Sequence, residues 1–212
     1  MKLASVLILE DDSFSLLTLK QALTGLNIEV KCATTSISDA INALGSSEID
    51  VAILDLDLGP GANGVDVAYR LRTIKPNMGI VLLTGYSDPR LAQPNGRKLP
   101  IGSIFLVKSN LVEISSLISA ILATKQNPLK KRVQSNQELA LTDRQIEVLK
   151  ALASGLSTKE ISKSLGLSEK TVEATITKLH LNLGLGKDTK FNIRIQLARA
   201  FYSLSGRNLP SA

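Results

Sequence analysis

Four short apolar runs in this chain each end on a residue that carries chemistry, and no other feature constrains the fold as tightly. Val6-Leu7-Ile8-Leu9 runs into Glu10, Asp11 and Asp12, and Val51-Ala52-Ile53-Leu54 runs into Asp55. Gly79-Ile80-Val81-Leu82-Leu83 ends on Thr84, and Ile104-Phe105-Leu106-Val107 ends on Lys108. Continuous apolar runs of this length read as buried strands. Between them the apolar period changes to that of helices, over 13–26, 36–44, 65–74 and 111–123. A weaker, edge-like strand covers 28–33. Strands alternating with helices predict an α/β domain with a doubly wound, parallel, five-stranded sheet. In such a sheet the strand ends share one edge, which is where open sheets of this class place their sites.

That edge would gather acid, acid, hydroxyl and amine. A carboxylate attacks a phosphoryl group only when nearby charge is neutralised. Glu10, Asp11 and Asp55 form an all-oxygen donor set suited to Mg²⁺, and the backbone carbonyl of Asp57 is a further candidate ligand. The cation would offset charge on the phosphoryl oxygens. Asp55 would then form an acyl phosphate, Lys108 would donate a charge-assisted hydrogen bond to it, and Thr84 would offer a hydroxyl. Strand-end acids also cap helices, and Asp12 and Ser13 read that way.

The C-terminal part has a different character. Residues 1–124 carry 10 Lys and Arg against 12 Asp and Glu, a net −2; residues 125–212 carry 15 against 7, a net +8. A basic module of this size favours nucleic acid or an anionic surface as partner. Residues 125–138 are polar and basic, contain Lys130-Lys131-Arg132, and read as a linker. From Leu141 on, no strand pattern occurs, and helices are expected over 142–154, 158–165, 168–183 and 190–204. Thr142 with Gln145, Ser157 with Glu160, and Ser168 supply their N-caps. Gly155, Gly166 and Gly184 sit where C-caps belong. Between Thr84 and Lys108 three prolines and several glycines argue against a full helix and for a short turn or irregular loop. The single cysteine, Cys32, excludes an internal disulfide, and no run is long enough to span a bilayer, so a cytoplasmic, non-membrane protein is expected.

Over about residues 1–124 the chain resembles a bacterial response-regulator receiver domain. The matching residues are Glu10-Asp11, Asp55, Thr84, Phe105 and Lys108. The resemblance implies a flavodoxin-like sheet, phosphorylation of Asp55 by a sensor histidine kinase, and a switch in which Thr84 moves toward the phosphate and Phe105 turns inward. Ser109 stands where that family usually has proline, and Gly85 where alanine is common. The loop at 59–63 is longer than usual, and a shortened or missing fourth helix is expected. Over 139–205 the strings Leu141-Thr142-Asp143-Arg144-Gln145-Ile146, Gly155-Leu156-Ser157-Thr158-Lys159-Glu160-Ile161 and Leu167-Ser168-Glu169-Lys170-Thr171-Val172 resemble a LuxR-type helix-turn-helix. Two domains and a linker follow: receiver 1–124, linker 125–138, DNA-binding domain 139–212.

In this reading 158–165 is the scaffold helix and 168–183 the recognition helix. Ile161, Leu165, Leu167, Val172, Ile176, Leu179 and Leu183 form its core face. Ser168, Lys170, Thr171, Glu173, Ala174, Thr177 and Lys178 form the DNA-binding face, with the helix N-terminal amides helping to hold phosphate. Glu173 and Thr175 replace the family's usual lysine and histidine; a groove-facing Glu173 could accept from cytosine N4. His180 reads as solvent-facing or phosphate-adjacent. The resemblance implies a homodimer, with paired recognition helices on two half-sites. The expected function is transcriptional regulation rather than catalysis. One alternative is a regulator whose receiver serves only dimerisation or docking. Another is a haloacid-dehalogenase-like phosphatase, since Asp55-Leu56-Asp57 resembles that family's paired aspartates. In that family the pair ordinarily ends the first strand, whereas here Glu10-Asp11 precedes it.

Overall fold

Continuous apolar runs become strands because a parallel sheet covered on both faces buries every side chain along them. The computed structural model describes residues 2–59, 63–92, 99–111, 113–131, 139–186 and 192–206. It contains β1 (Ala4–Leu9), β2 (Ile28–Thr34), β3 (Val51–Asp55), β4 (Gly79–Thr84) and β5 (Ile104–Val107) in one parallel sheet ordered β2-β1-β3-β4-β5. The inner strands β3 and β4 are buried at every position, whereas β2 and β5 at the two edges are only partly covered. The five-stranded, doubly wound sheet expected from the sequence is therefore present.

Helices α1 (Ser13–Thr24), α2 (Ile37–Ser46), α3 (Gly64–Ile74) and α5 (Ile114–Gln126) flank the sheet. On one face Val6, Ile8, Val51, Ile53 and Val81 pack against Leu23 of α1 and Leu117 and Ile121 of α5. The alternate residues Leu7, Leu9, Leu54, Ile80 and Leu82 are equally buried on the other. Asp12 caps α1 by accepting the Ser15 N–H at 2.7 Å. Asn63 and Asp66 form a capping box on α3.

The break anticipated after Thr84 is real. Among the described residues of that stretch one helical turn occurs, α4 (Pro89–Ala92); 93–98 lies outside the described residues. In the C-terminal part α6 (Asp143–Ala153), α7 (Thr158–Leu165), α8 (Glu169–Asn182) and α9 (Ile193–Leu204) follow the expected segments. Thr142 with Gln145 and Ser157 with Glu160 form capping boxes, and Ser168 accepts the Thr171 N–H. Gly155, Gly166 and Gly184 all hold positive φ after a helix end.

Compact packing divides the chain into Met1–Thr84 with Lys98–Ser135, and Gly85–Arg97 with Asn136–Ala212. The sequence reading has contiguous domains divided by a linker at 125–138. In the structure the described part of the stretch after β4, 85–92, groups with the C-terminal helices. Within the first unit, part of the expected linker is fixed: Arg72 of α3 donates from Nη2 to the Pro128 carbonyl at 2.9 Å. Residues 132–138, including Arg132, lie outside the described residues.

One glycine ties this fold to its acidic edge. A Cβ on Gly64, at the first turn of α3, would lie 2.0 Å from the carbonyl oxygen of Asp55. Gly64→Ala must therefore shift either α3 or the end of β3. We expect a loss of about 1–3 kcal/mol in stability, read by thermal unfolding, and weaker cation binding at the acidic edge, read by calorimetry.

Candidate functional site

Register places the chemistry. Leu9 lies beside Leu54, Asp55 beside Leu83, and Thr84 beside Val107, so β1, β3, β4 and β5 end level with one another. Glu10, Asp55, Thr84 and Lys108 are thus brought to one edge by the apolar runs that precede them. Lys108 opens a single 3₁₀ turn, Lys108–Asn110, which follows β5 directly.

Lys108 is the hub of this edge. Its Nζ donates to Glu10 Oε1 at 2.7 Å and to Asp55 Oδ2 at 2.9 Å. Glu10 and Asp55 are buried, at 1% and 5% exposure, whereas Asp11 is exposed. Ligand oxygens of Glu10, Asp11 and Asp55 all lie within 4.8 Å of one another. Asp57 donates its backbone N–H to Asp55 Oδ1 at 3.3 Å, which holds the loop after β3 against the carboxylate. Thr84 is fully buried, and Phe105 on β5 is half-buried beside Leu82.

Three carboxylates around one ammonium leave negative charge in excess, and part of it is out of water. Burial pushes the Glu10 carboxyl up to about 7 against the pull of its Lys108 hydrogen bond, and the Asp55 charge adds to the rise. Burial also raises Asp55, against the charge of Lys108. For Lys108 burial acts to lower the ammonium, but the charges and hydrogen bonds of Asp55 and Glu10 outweigh it and hold it above its ordinary value. Carboxylates that resist ionisation until a positive charge arrives, with only oxygen donors, fit a hard divalent cation. Glu10, Asp11 and Asp55 are the residues that would hold it.

The second unit presents the helix-turn-helix pair. Gly166, at φ +64°, ends α7, and its N–H and that of Leu167 both return to the Ser162 carbonyl. That turn lets Ile161, Val172, Ile176 and Leu179 meet in one core. The face read from the sequence is exposed as expected: Ser168, Lys170, Thr171, Glu173, Ala174, Thr177 and Lys178 all face solvent. Several of its polar groups are already engaged. Ser168 and Thr171 share a hydroxyl contact at 2.7 Å, and Thr177 Oγ1 donates to the Glu173 carbonyl at 3.1 Å.

Two expectations on this helix change. Glu173 is not simply a groove-facing acid. It accepts a short hydrogen bond from Thr158 of α7 and lies 3.7 Å from Nη1 of Arg194 on α9. Arg194 in turn donates to Thr158 Oγ1 at 3.0 Å and to the Leu156 carbonyl at 2.8 Å, so the acid sits in a network that ties three helices. His180 is not solvent-facing: it is 8% exposed, and its Nε2 meets Gln196 Oε1 at 2.8 Å across α8 and α9. The apolar period places position 180 beside Leu179 and Ile176, so α9 covers it. Arg194 was not anticipated as a functional residue, because its partners on α7 and α8 are distant in sequence.

Comparison with known proteins agrees with both halves. Residues 6–96 match the family described as response regulator receiver domain, and residues 139–191 the family described as bacterial regulatory proteins, luxR family. The Fimbriae Z protein of Salmonella typhimurium strain LT2 is 28% identical over 198 residues, covering 87% of this chain and 92% of that protein. The transcriptional regulatory protein DesR of Bacillus subtilis strain 168 is 27% identical over 179 residues, covering 84% and 80%. Among solved structures, RcsB from Salmonella enterica serovar Typhimurium, bound to promoter rprA in the presence of phosphomimetic BeF3-, aligns with a TM-score of 0.57 at 22% identity over 94% of this chain and 99% of that one. Among the described residues no helix is long and apolar enough to cross a membrane.

The raised Glu10 carboxyl sets the pH behaviour of this edge. In the unfolded chain it ionises near 4.5, in the folded metal-free protein near 7. Its contribution to stability is fully present below the unfolded value and is lost as pH rises through about 7. Without added cation, Glu10→Gln is expected to melt a few degrees above wild type near pH 8 and to lose that advantage near pH 4 in calorimetry. Cation binding must displace the Glu10 proton. If the edge holds a divalent cation, its affinity is expected to rise with pH up to about 7, with proton release detectable by titration in buffers of different ionisation heat.

Proposed function

Because the chain belongs to the response regulators that join a receiver domain to a LuxR-family DNA-binding domain, we propose that Asp55 accepts a phosphoryl group from a sensor histidine kinase and that this controls DNA binding by the C-terminal helices. The observation that carries the reading is the Lys108 ammonium held at once by Glu10 and by Asp55. An Asp55 oxygen forms the bond to phosphorus as the bond to the donor nitrogen breaks. Lys108 is close enough to follow the new phosphoryl oxygens with a charge-assisted hydrogen bond. Mg²⁺ held by Glu10, Asp11 and Asp55, with the Asp57 carbonyl as a further ligand, would offset charge on the same oxygens. Thr84 and Phe105 are the switch residues of this reading. They lie on β4 and β5, which pair with each other next to the acceptor strand.

On DNA, Lys170 and Lys178 are the side chains best placed to hold phosphates, because they carry charge, whereas the Thr177 hydroxyl donates within α8 and Ser168 and Thr171 bond to each other. Helix N-terminal amides around Ser168 add to that hold. Ala174 offers an apolar contact within the same face. Glu173 then acts mainly by fixing Thr158 and Arg194 rather than by reading a base. The protein works as a cytoplasmic homodimer in this reading, and the dimeric half is supported by the similar RcsB structure, solved as two dimers bound to two parallel DNAs.

Incubation with a small acyl phosphate and Mg²⁺ is expected to add one phosphoryl group to wild type and none to Asp55→Ala, read by intact mass. Equal labelling of both would remove the claim. If DNA affinity and regulation are the same in Asp55→Ala and in labelled wild type, the receiver serves only dimerisation or docking. Lys170→Ala and Lys178→Ala should each weaken binding to all sequences and reduce the salt slope by about one, read by gel shift across a salt series.

A further inference from the structure

The stretch directly behind Thr84 is built into the DNA-binding unit. Tyr86 and Leu91 are buried in the same core as Ile146, Leu149 and Leu197. Asp88 is fully buried. Its carboxylate accepts the Arg90 backbone N–H at 2.8 Å, Arg90 Nη2 at 2.8 Å and the Leu139 N–H at 2.8 Å. Arg90 spreads the other edge of its guanidinium over the entry to α6: Nη2 donates to the Leu139 carbonyl and Nη1 to the Leu141 carbonyl, each at 2.9 Å, and Nη1 also pairs with Asp143 at 3.1 Å. Lys150 of α6 donates to the Arg90 carbonyl at 3.2 Å. At the C-terminal end of α9, Ser87 gives both its N–H and its hydroxyl to the Leu204 carbonyl, at 2.8 and 3.1 Å. Gly85 and Gly206 approach so closely that a Cβ on Gly206 would lie 2.9 Å from the Gly85 carbonyl oxygen.

We infer that residues 85–92 form a strap, clasped by Asp88 and Arg90, through which the DNA-binding unit holds the chain one peptide bond beyond Thr84. The inference deepens the reading of Thr84 as the hydroxyl that answers a phosphoryl group on Asp55, and its regulatory part rests on that reading. A buried carboxylate cannot be left without its partners, and Tyr86 and Leu91 leave the core together with it. The strap is therefore held or released as a whole, which makes it a two-state element. It grips the first turn of α6 and the last carbonyls of α9, so its release loosens both ends of the domain that carries α8. A phosphoryl group that draws Thr84 biases the strap, and DNA that prefers one strap state changes phosphoryl acceptance by the same factor.

The test uses the full-length protein. Arg90→Lys keeps a cation for Asp88 but loses the fork that spans the Leu139 and Leu141 carbonyls. Asp88→Asn with Arg90→Met removes the clasp altogether. Three quantities are measured: labelling of Asp55 by acyl phosphate, the ratio of DNA affinities with and without label, and hydrogen exchange of α6 and α9. For wild type a ratio of about 5–150 is the usual size of such coupling. The strap predicts normal labelling of Arg90→Lys, a ratio that falls to about one, and faster exchange at the start of α6 and the end of α9. A wild-type ratio in Arg90→Lys with unchanged exchange overturns it. Should the double variant not fold, Arg90→Lys alone decides. If wild type takes no label, the phosphorylation reading fails by itself, and exchange in Arg90→Lys still shows whether the strap is part of the domain.

Discussion

A single ammonium between two buried carboxylates organises the receiver half. Without Lys108, Glu10 and Asp55 would face each other across the sheet edge with no compensating charge, and ionising both would cost far more than their hydrogen bonds return. With it, the pair is tolerated, but only in a state where protonation and cation binding compete for the same oxygens. The parallel register makes this possible. Four strands of different length and sequence end level, so side chains separated by up to 98 residues meet within hydrogen-bond reach. The all-buried strands cannot slip by one residue without turning a face of the core outward, which fixes the geometry of the edge from below.

The DNA-binding half is organised by a different device, helix ends. Its helices are short, the longest 14 residues, so each depends on caps and on packing rather than on its own propensity. Thr142, Ser157 and Ser168 begin three of them with side-chain caps, and left-handed glycines end several. Glu173, Thr158 and Arg194 then lock α7, α8 and α9 to each other at the exposed side. The helix that faces a partner is thereby held by polar bonds on one flank and by Val172, Ile176 and Leu179 on the other.

Much of this was legible in the sequence because it is written locally. A run of apolar residues announces a buried strand, and the residue that ends the run is the one at the edge, so Glu10, Asp55, Thr84 and Lys108 could be named without coordinates. Caps are equally local, which is why the helix starts at Thr142, Ser157 and Ser168 were readable. What escaped was non-local. Asp88 and Arg90 find Leu139, Leu141 and Asp143 about fifty positions away, and a stretch interrupted by prolines looks the same in sequence whether it hangs free or docks. His180 lies buried rather than facing solvent, and Glu173 keeps its exposed place but gains partners, for the same reason: the residues that engage them, Gln196 and Arg194, sit on a helix that a heptad pattern cannot orient.

The closing of the C-terminal domain by a piece of chain made much earlier has a consequence for synthesis. The Ser87 contact to Leu204 spans 117 residues, so it forms only after the last helix has left the ribosome. Until then Ser87 has no Leu204 carbonyl to bond, and Tyr86 and Leu91 lack Leu197 in their core, while Asp88 can already meet Arg90 and Leu139. Chains emerge at about 5–20 residues per second, which leaves several seconds in which the core around Tyr86 and Leu91 is incomplete. A protein wired in this way closes its DNA-binding unit only once α9 has emerged, and a nascent chain that stops short of α9 leaves Ser87 and the core around Leu91 incomplete.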